Sequence, residues 1–258
     1  MTLEFASALD VGRARANNED SVALDSQAQL AVLADGMGGY NAGEVAASMA
    51  TSLVSSSLVQ WLAGHTAPTV RELAQAMGRS VNQANRAIFD AAVGNPRYRG
   101  MGTTLVMVVV ARGQLVVGHV GDSRAYRLRG RRLQRLTRDH SLLQEQLDAG
   151  LITPAQAARS PHRNLVTRAL GVEAEVTLEA HDYSLKHDDL LLLCSDGLTD
   201  MVDDERICGL LCHTRAGLQD ACHALVEAAN AAGGRDNISV VLVRAGAESL
   251  GHDKRWSV

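Results

Sequence analysis

Residues 103–129 read TTLVMVVVARGQLVVGHVGDSRAYRLR. Three apolar runs, 103–111, 114–120 and 123–129, are separated only by Arg112-Gly113 and Gly121-Asp122. Connections this short join antiparallel neighbours, because a parallel pair needs a crossover of about a dozen residues. The stretch predicts a β-meander, and with it an antiparallel sheet at the centre of the molecule.

Working outward, 29–34 (QLAVLA) is a further strand, while 190–194 (LLLLC) and 238–244 (ISVVLVR) are apolar without alternation, which predicts cover on both faces. Helices fall between the strands. Thr69-x-x-Glu72 after Pro68 is a capping box. Val70, Leu73, Ala74, Met77, Val81, Ala84 and Ile88 then recur at helical spacing. A helix over 42–62, rich in Ala and Ser, can pack closely against that one. Asp203 can cap a helix through 211, and a last helix over 216–232 stops at Gly233-Gly234. The expected fold is α+β: a central antiparallel β-sandwich flanked by pairs of antiparallel helices, in α-β-β-α layers. Residues 137–170, with short helical pieces around Thr153-Pro154 and Ser160-Pro161, read as a small flap subdomain. One domain is expected over 1–246 and a mobile tail over 247–258.

The 258 residues are 46% hydrophobic but only 3% aromatic, so aliphatic side chains must fill a large core. A net charge of −4 gives no general attraction to nucleic acid or anionic membrane. No stretch approaches the ~20 apolar residues of a membrane helix. The opening MTLEFASALDVGRARANNED is too polar and acidic for a secretory signal, so a cytoplasmic chain without a membrane span is expected. Cys194, Cys208, Cys212 and Cys222 form no CxxC pair and read as reduced thiols, not zinc ligands.

The chemistry lies in aspartates at strand tips. AVLADG delivers Asp35-Gly36, LLLCSDG delivers Asp196-Gly197, VGHVGD delivers Asp122, and GGRDN places Asp236 ahead of the last strand. A single Asp-Gly is usually only a turn. Several carboxylates at buried strand ends repel one another and are costly to desolvate. Hard divalent cations remove that repulsion, and oxygen-only donors suit Mg²⁺ or Mn²⁺. Near the N-terminus, Arg13-Ala-Arg15-Ala-Asn-Asn-Glu19-Asp20 offers guanidinium forks for phosphate oxygens and carboxylates for ordered water. Asp35-Gly-Met-Gly-Gly39 lacks the spacing of an NTP-binding loop. These residues alone point to a metal-dependent phosphate-ester hydrolase.

Asn18-Glu19-Asp20, Asp35-Gly36-Met37-Gly38-Gly39, Gly102-Thr103-Thr104, Gly121-Asp122-Ser123-Arg124, Ser195-Asp196-Gly197 and Asp236-Asn237 occur in one order along nearly the whole chain. Together they closely resemble the bacterial branch of the metal-dependent serine/threonine protein phosphatases, the PPM or type 2C family. The resemblance implies that Asp35 bridges two Mg²⁺ or Mn²⁺ ions, that the Gly36 carbonyl is a ligand of the second, and that Asp196 and Asp236 are ligands of the first. It implies a third ion held by Asp122 with Asp196, phosphate binding by Arg15, and waters held by Glu19 and Asp20, with Asn237 in support. Arg15, Asp35 and Asp196 are then the catalytic set. Met37 stands where eukaryotic members carry a histidine and cannot donate a proton, which leaves that task to a metal-held water. Tyr40 stands where bacterial members often carry histidine. His119 reads as a satisfied core residue, His140 as a structural turn residue at the start of the flap, and 127–135 (RLRGRRLQR) as a solvated hairpin.

The implied activity is hydrolysis of phosphoserine and phosphothreonine in proteins, reversing a bacterial serine/threonine kinase that is itself an expected partner. A monomer is expected. The alternatives are a catalytically weak phosphoprotein-binding regulator of the same fold and a hydrolase of small phosphate esters.

Overall fold

The computed structural model describes residues 2–39, 42–157, 160, 165–213 and 217–246. Tyr40, Pro161 and the tail over 247–258 lie outside the described residues. In chain order the elements are β1 (Leu3–Asp10), β2 (Asp20–Asp25), β3 (Leu30–Met37), α1 (Ala42–Ala63), α2 (Val70–Gly94), β4 (Gly102–Thr103), β5 (Leu105–Ala111), β6 (Gln114–Val120), β7 (Arg124–Arg129), β8 (Arg132–Arg135), α3 (Leu142–Asp148), α4 (Pro154–Ala157), β9 (Glu179–Ser184), β10 (Leu190–Cys194), α5 (Asp196–Thr199), α6 (Asp204–His213), α7 (Leu218–Ala231) and β11 (Ile238–Ala245).

Two antiparallel sheets face each other, one ordered β1-β11-β10-β7-β8 and the other β2-β3-β5-β6-β9, with β4 paired to β3. Successive side chains on a strand point to opposite faces, and the core divides accordingly. Leu30, Val32 and Ala34 pack under α1 and α2, whereas Ala31 and Leu33 point between the sheets. Leu190, Leu192 and Cys194 pack under α6 and α7, whereas Leu191 and Leu193 point between the sheets. That double burial is why β3, β10 and β11 are apolar without alternation. The layers are α-β-β-α.

The capping box forms as read, with Thr69 accepting from the Glu72 amide and Glu72 accepting from the Thr69 amide. Asp203 caps α6 by accepting from the Arg206 amide. Small residues let α1 and α2 approach closely enough for the Ser57 and Ser80 hydroxyls to hydrogen-bond at 2.8 Å.

Three expectations need correction. Strands β5 and β6 form a hairpin, but β7 leaves that sheet and joins β10 and β8 in the other. No meander of three forms, because the free edge of β6 is taken by β9, with His119 opposite Glu179. The short Gly121-Asp122 link is a crossing between the sheets, made possible by the positive φ of Gly121, +102°. Second, α1 has 22 residues and a mean hydropathy of 1.2, long and apolar enough to cross a membrane by length and composition. Its face of Ala46, Ala47, Ala50, Val54 and Leu58 lies instead in the core over the second sheet. Third, the arginine hairpin β7–β8 is not merely solvated. Arg129 pairs with the buried Asp189 at 2.6 Å and bonds the Ser184 carbonyl, and Arg127 bonds Gln134.

The flap carries α3, capped by Ser141, and α4, which starts at Pro154. Its two ends are stitched together: the Leu142 amide donates to the Leu165 carbonyl and the Thr167 amide to the His140 carbonyl.

Candidate metal centre

The strand ends that carry Asp20, Asp35, Asp122, Asp196 and Asp236 meet at one edge of the sandwich. Strand β3 ends there with Asp35-Gly36-Met37, β2 begins there with Asp20 directly opposite Asp35, and β10 runs into Ser195 and Asp196. Asp236 precedes β11 and Asp122 sits in the crossing between sheets. Arg15, Glu19, Asp35, Gly36, Asp122, Asp196, Asp236 and Asn237 line one cavity of about 200 Å³, together with Thr104, Met37 and Val166 of the flap.

Backbone contacts hold this edge rigidly. A methyl group on Gly36 would lie 2.1 Å from the Gly43 carbonyl oxygen, and one on Gly197 would lie 1.9 Å from the Asn237 carbonyl oxygen. Glycine is required at both for the chain to come so close. The Asn237 side chain knits the N-terminal loop to the site: its oxygen accepts from the Glu19 amide at 2.8 Å, and its nitrogen donates to the carbonyls of Val11 and Asn17. Thr103 donates to the Asp35 carbonyl, and the Thr104 hydroxyl accepts from the Asp35 amide and bonds Ser123 at 2.7 Å. The buried Ser195 hydroxyl donates to Asp20 Oδ2 at 2.9 Å. Thr104 and Ser195 lie within motifs visible in the sequence, but their bonding to Asp35 and Asp20 links separate strands.

The electrostatics are those of crowded, buried anions. Burial, and then the charges of Asp20, Asp196, Asp122 and Asp236, push Asp35 well above the usual carboxylate range. Burial, then Asp122 and Asp200, do the same to Asp196. Burial pushes Asp20 up to about 6, and burial with the neighbouring Asp139 pushes Asp122 to about 6. Asp20 Oδ1 is buried without a hydrogen-bond partner. Oxygen donors in surplus, unsatisfied by protein N–H groups, are what hard divalent cations take. Among the described residues, the group of three His, Cys, Asp or Glu ligand atoms lying within 4.8 Å of one another is His119, His140 and Glu179, away from these aspartates.

Arg15 stands at the cavity mouth, half exposed, with Nη2 2.8 Å from Asp236 Oδ2. Arg13 does not line the cavity; its side chain is exposed and its backbone amide donates to the Gly234 carbonyl. His119 is buried with Nε2 against the Arg138 carbonyl, and His140 holds the turn at Gly121. Arg124 forks onto Asp139, which ties β7 to the start of the flap.

The model of the family described as protein phosphatase 2C matches residues 12–242. The chain belongs to the protein phosphatase 2C family. It is 38% identical to the "Serine/threonine phosphatase stp" of Listeria welshimeri, over 98% of this chain and 99% of that one. The crystal structure of the Mycobacterium tuberculosis serine/threonine phosphatase PstP/Ppp superposes with a TM-score of 0.85 at 37% identity, covering 96% of this chain and 100% of that one. A PstP catalytic domain in complex with two manganese ions gives a TM-score of 0.84 at 36% identity, covering 95% of this chain and 99% of that one. The sandwich and its flanking helix pairs are thus the protein phosphatase 2C architecture, a family that uses Mn²⁺ or Mg²⁺.

Proposed function

We propose that this chain hydrolyses phosphoserine and phosphothreonine in proteins at a binuclear Mn²⁺ or Mg²⁺ centre held by Asp35, the Gly36 carbonyl, Asp196 and Asp236, with Asp122 and Asp196 serving a third ion. Membership of the protein phosphatase 2C family makes it a metal-dependent protein serine/threonine phosphatase. The observation that carries the site assignment is the convergence of these carboxylates with Arg15 in one cavity of about 200 Å³. Ions held there would lower the pKa of a water toward neutrality and so supply a nucleophile.

The chain's own groups do the rest. Arg15, at the mouth, can leave Asp236 for a phosphate dianion, which offers its fork two oxygens. Glu19, which lines the cavity, and Asp20, opposite Asp35, would accept hydrogen bonds from water and orient it. Met37 lines the cavity but has no proton to give, so the leaving alkoxide takes its proton from water. No side chain need become phosphorylated, and Cys194 and Cys222 are buried with thiols pushed up to about 12, far from reactive.

Phosphoserine and phosphothreonine are made by kinases, which supports proteins phosphorylated by a serine/threonine kinase, and that kinase itself, as partners. The deciding assay is release of phosphate from a phosphothreonine peptide with Mn²⁺, with Mg²⁺ and with chelator. Asp35→Ala and Asp196→Asn should each lower the metal-dependent rate by at least about 100-fold. Wild-type rates from Asp196→Asn would overturn its assignment as a ligand.

A further inference from the structure

A largely buried cluster of titratable side chains lies outside the aspartate cavity. His119 on β6, His140 at the start of the flap and Glu179 on β9 bring two imidazoles and a carboxylate together, with the rings stacked 4.6 Å apart. Such a triplet could hold a transition-metal ion, but its hydrogen bonds assign the ring protons otherwise. His119 Nε2 lies 2.7 Å from the Arg138 carbonyl oxygen, which can only accept, so that nitrogen carries the proton. His140 Nδ1 accepts the Gly121 N–H at 3.1 Å, so the neutral ring carries its proton on Nε2. That Nε2 faces Glu179 Oε2 at 3.1 Å. An ion on His140 would have to displace the Gly121 amide from Nδ1 or strip the neutral ring of its only N–H proton, on Nε2. Arg168 Nη1 also approaches Nε2, at 3.3 Å, but both are donors, so Glu179 is the acceptor.

His140 holds Gly121 by two bonds. Besides the ring bond, the His140 amide donates to the Gly121 carbonyl at 3.0 Å. Gly121 is the positive-φ residue on which the chain crosses between sheets, and a methyl group there would meet the Thr104 Cβ at 2.7 Å. The next residue is Asp122. Its carboxylate reaches the metal cavity only if this turn keeps its shape.

We propose that Glu179 and His140 are positioning residues for Asp122: Glu179 fixes His140 as the Nε2–H tautomer, and His140 Nδ1, by accepting the Gly121 N–H, sets the turn that aims the Asp122 carboxylate into the metal cavity. The proposal rests on the reading of Asp122 as a ligand of the third ion. A carboxylate that orients a histidine is a familiar way of fixing a tautomer. Here the histidine serves a backbone amide one residue from the ligand. The charge states agree. Burial pushes His140 down, so the ring is neutral near neutral pH. Burial alone would raise Glu179, but hydrogen bonds from His140 and His181 outweigh it and hold the carboxyl at about 2. The arrangement also couples the flap to the site, because the His140 carbonyl accepts from Thr167, where the flap returns.

The test uses the full chain with Mg²⁺. Nitrogen NMR of the wild type should show His140 as the Nε2–H tautomer and a slowly exchanging Gly121 amide. Glu179→Leu should lose that tautomer and weaken the last metal-binding step, followed by calorimetry, by about 10- to 100-fold, with the earlier steps unchanged. Glu179→Gln keeps an acceptor and should restore most of the affinity. His140→Asn can still accept from Gly121 and should bind metal more tightly than His140→Leu. A wild-type Nδ1–H tautomer, or a full-strength last step in Glu179→Leu, would overturn the proposal. If Asp122→Asn leaves metal binding unchanged, the reading of Asp122 as a ligand fails. If Asp122→Asn weakens the last step and Glu179→Leu does not, the positioning role alone fails.

Discussion

Arg15 makes its ion pair with Asp236 at the mouth of the cavity, where both stay partly open to solvent. A pair so exposed contributes little to stability, so its value lies in exchange: phosphate can take over the guanidinium while an ion takes over Asp236. Arg15→Ala should therefore lower kcat/KM on a phosphothreonine peptide by about 10- to 100-fold, the loss of one or two charge-assisted bonds. Melting should stay close to wild type. Arg15→Lys should recover only part of the rate, since an ammonium cannot form the two-pronged contact. Equal kcat/KM for Arg15→Ala and wild type would remove Arg15 from phosphate binding. Gly197 lies at the opposite extreme. A methyl group there would sit 1.9 Å from the Asn237 carbonyl, so Gly197→Ala must push the start of β11 away from Asp196. It should cost roughly 1–3 kcal/mol in denaturant unfolding, the usual range for overpacking, and weaken metal binding as well.

The strands that place the site owe their stability to the layer between the sheets. Leu33 and Leu193 are fully buried there, on strands whose tips carry Asp35 and Asp196. Leu33→Ala or Leu193→Ala should cost about 2–5 kcal/mol, read from urea unfolding with metal present. A cost below about 1 kcal/mol would show that this layer does not hold the strand ends. These interior strands were legible in the sequence because burial on both faces leaves no room for polar residues. By the same physics β1, β2 and β9 were not. β9 reads EAHDYS on a sheet edge, and β1 and β2 are half exposed, so neither a continuous apolar run nor clean alternation marks them. The Asp35, Asp196, Asp122 and Asp236 tips were legible because each is a chemical anomaly, a carboxylate at the end of an apolar run. The place of β7 was not, because a two-residue link with glycine reads as a hairpin unless one knows that β9 already occupies the edge of β6. Glu179 stayed hidden for a related reason: its partner His140 is brought close only by the sheet pairing and the flap entry.

At the scale of the molecule, the carboxylate cavity makes stability depend on pH and on metal in opposite senses. In the metal-free protein burial pushes Asp20 and Asp122 up to about 6, above the ordinary value of 3.8, and Asp35 and Asp196 are likewise pushed well above that ordinary value. A raised carboxyl binds its proton more tightly in the folded state than in the unfolded one. Its favourable contribution is complete below about pH 4 and is lost as pH rises through about 6 and beyond. Other carboxyls oppose this only in acid. Hydrogen bonds outweigh burial at Glu179, which is held near 2, and the Arg129 and Lys186 bonds outweigh burial at Asp189. Their contribution is present above about pH 4 and is lost as pH falls through their lowered pKa values. Burial also lowers His119 and His140, so their contribution is lost as pH falls below about 6.5 and opposes the raised carboxyls there. The four raised carboxyls outnumber the two imidazoles, so in chelator the chain should melt highest near about pH 5 to 6, and lower by at least about 5 °C at pH 7.5, given about 1.4 kcal/mol per pKa unit and the size of the chain. Divalent ions bind only the deprotonated ligands, so their stabilisation grows along the same pH axis. With saturating Mn²⁺ or Mg²⁺ the fall toward pH 7.5 should vanish or reverse. Asp122→Asn should lessen the loss in chelator, because one buried charge is gone, and lessen the gain from metal too. Scanning calorimetry at a series of pH values, with chelator and with metal, decides the matter. A chelator melting temperature that stays flat or climbs from about pH 5 to pH 7.5 would mean that these aspartates are not the crowded, desolvated anions that the strand ends bring together.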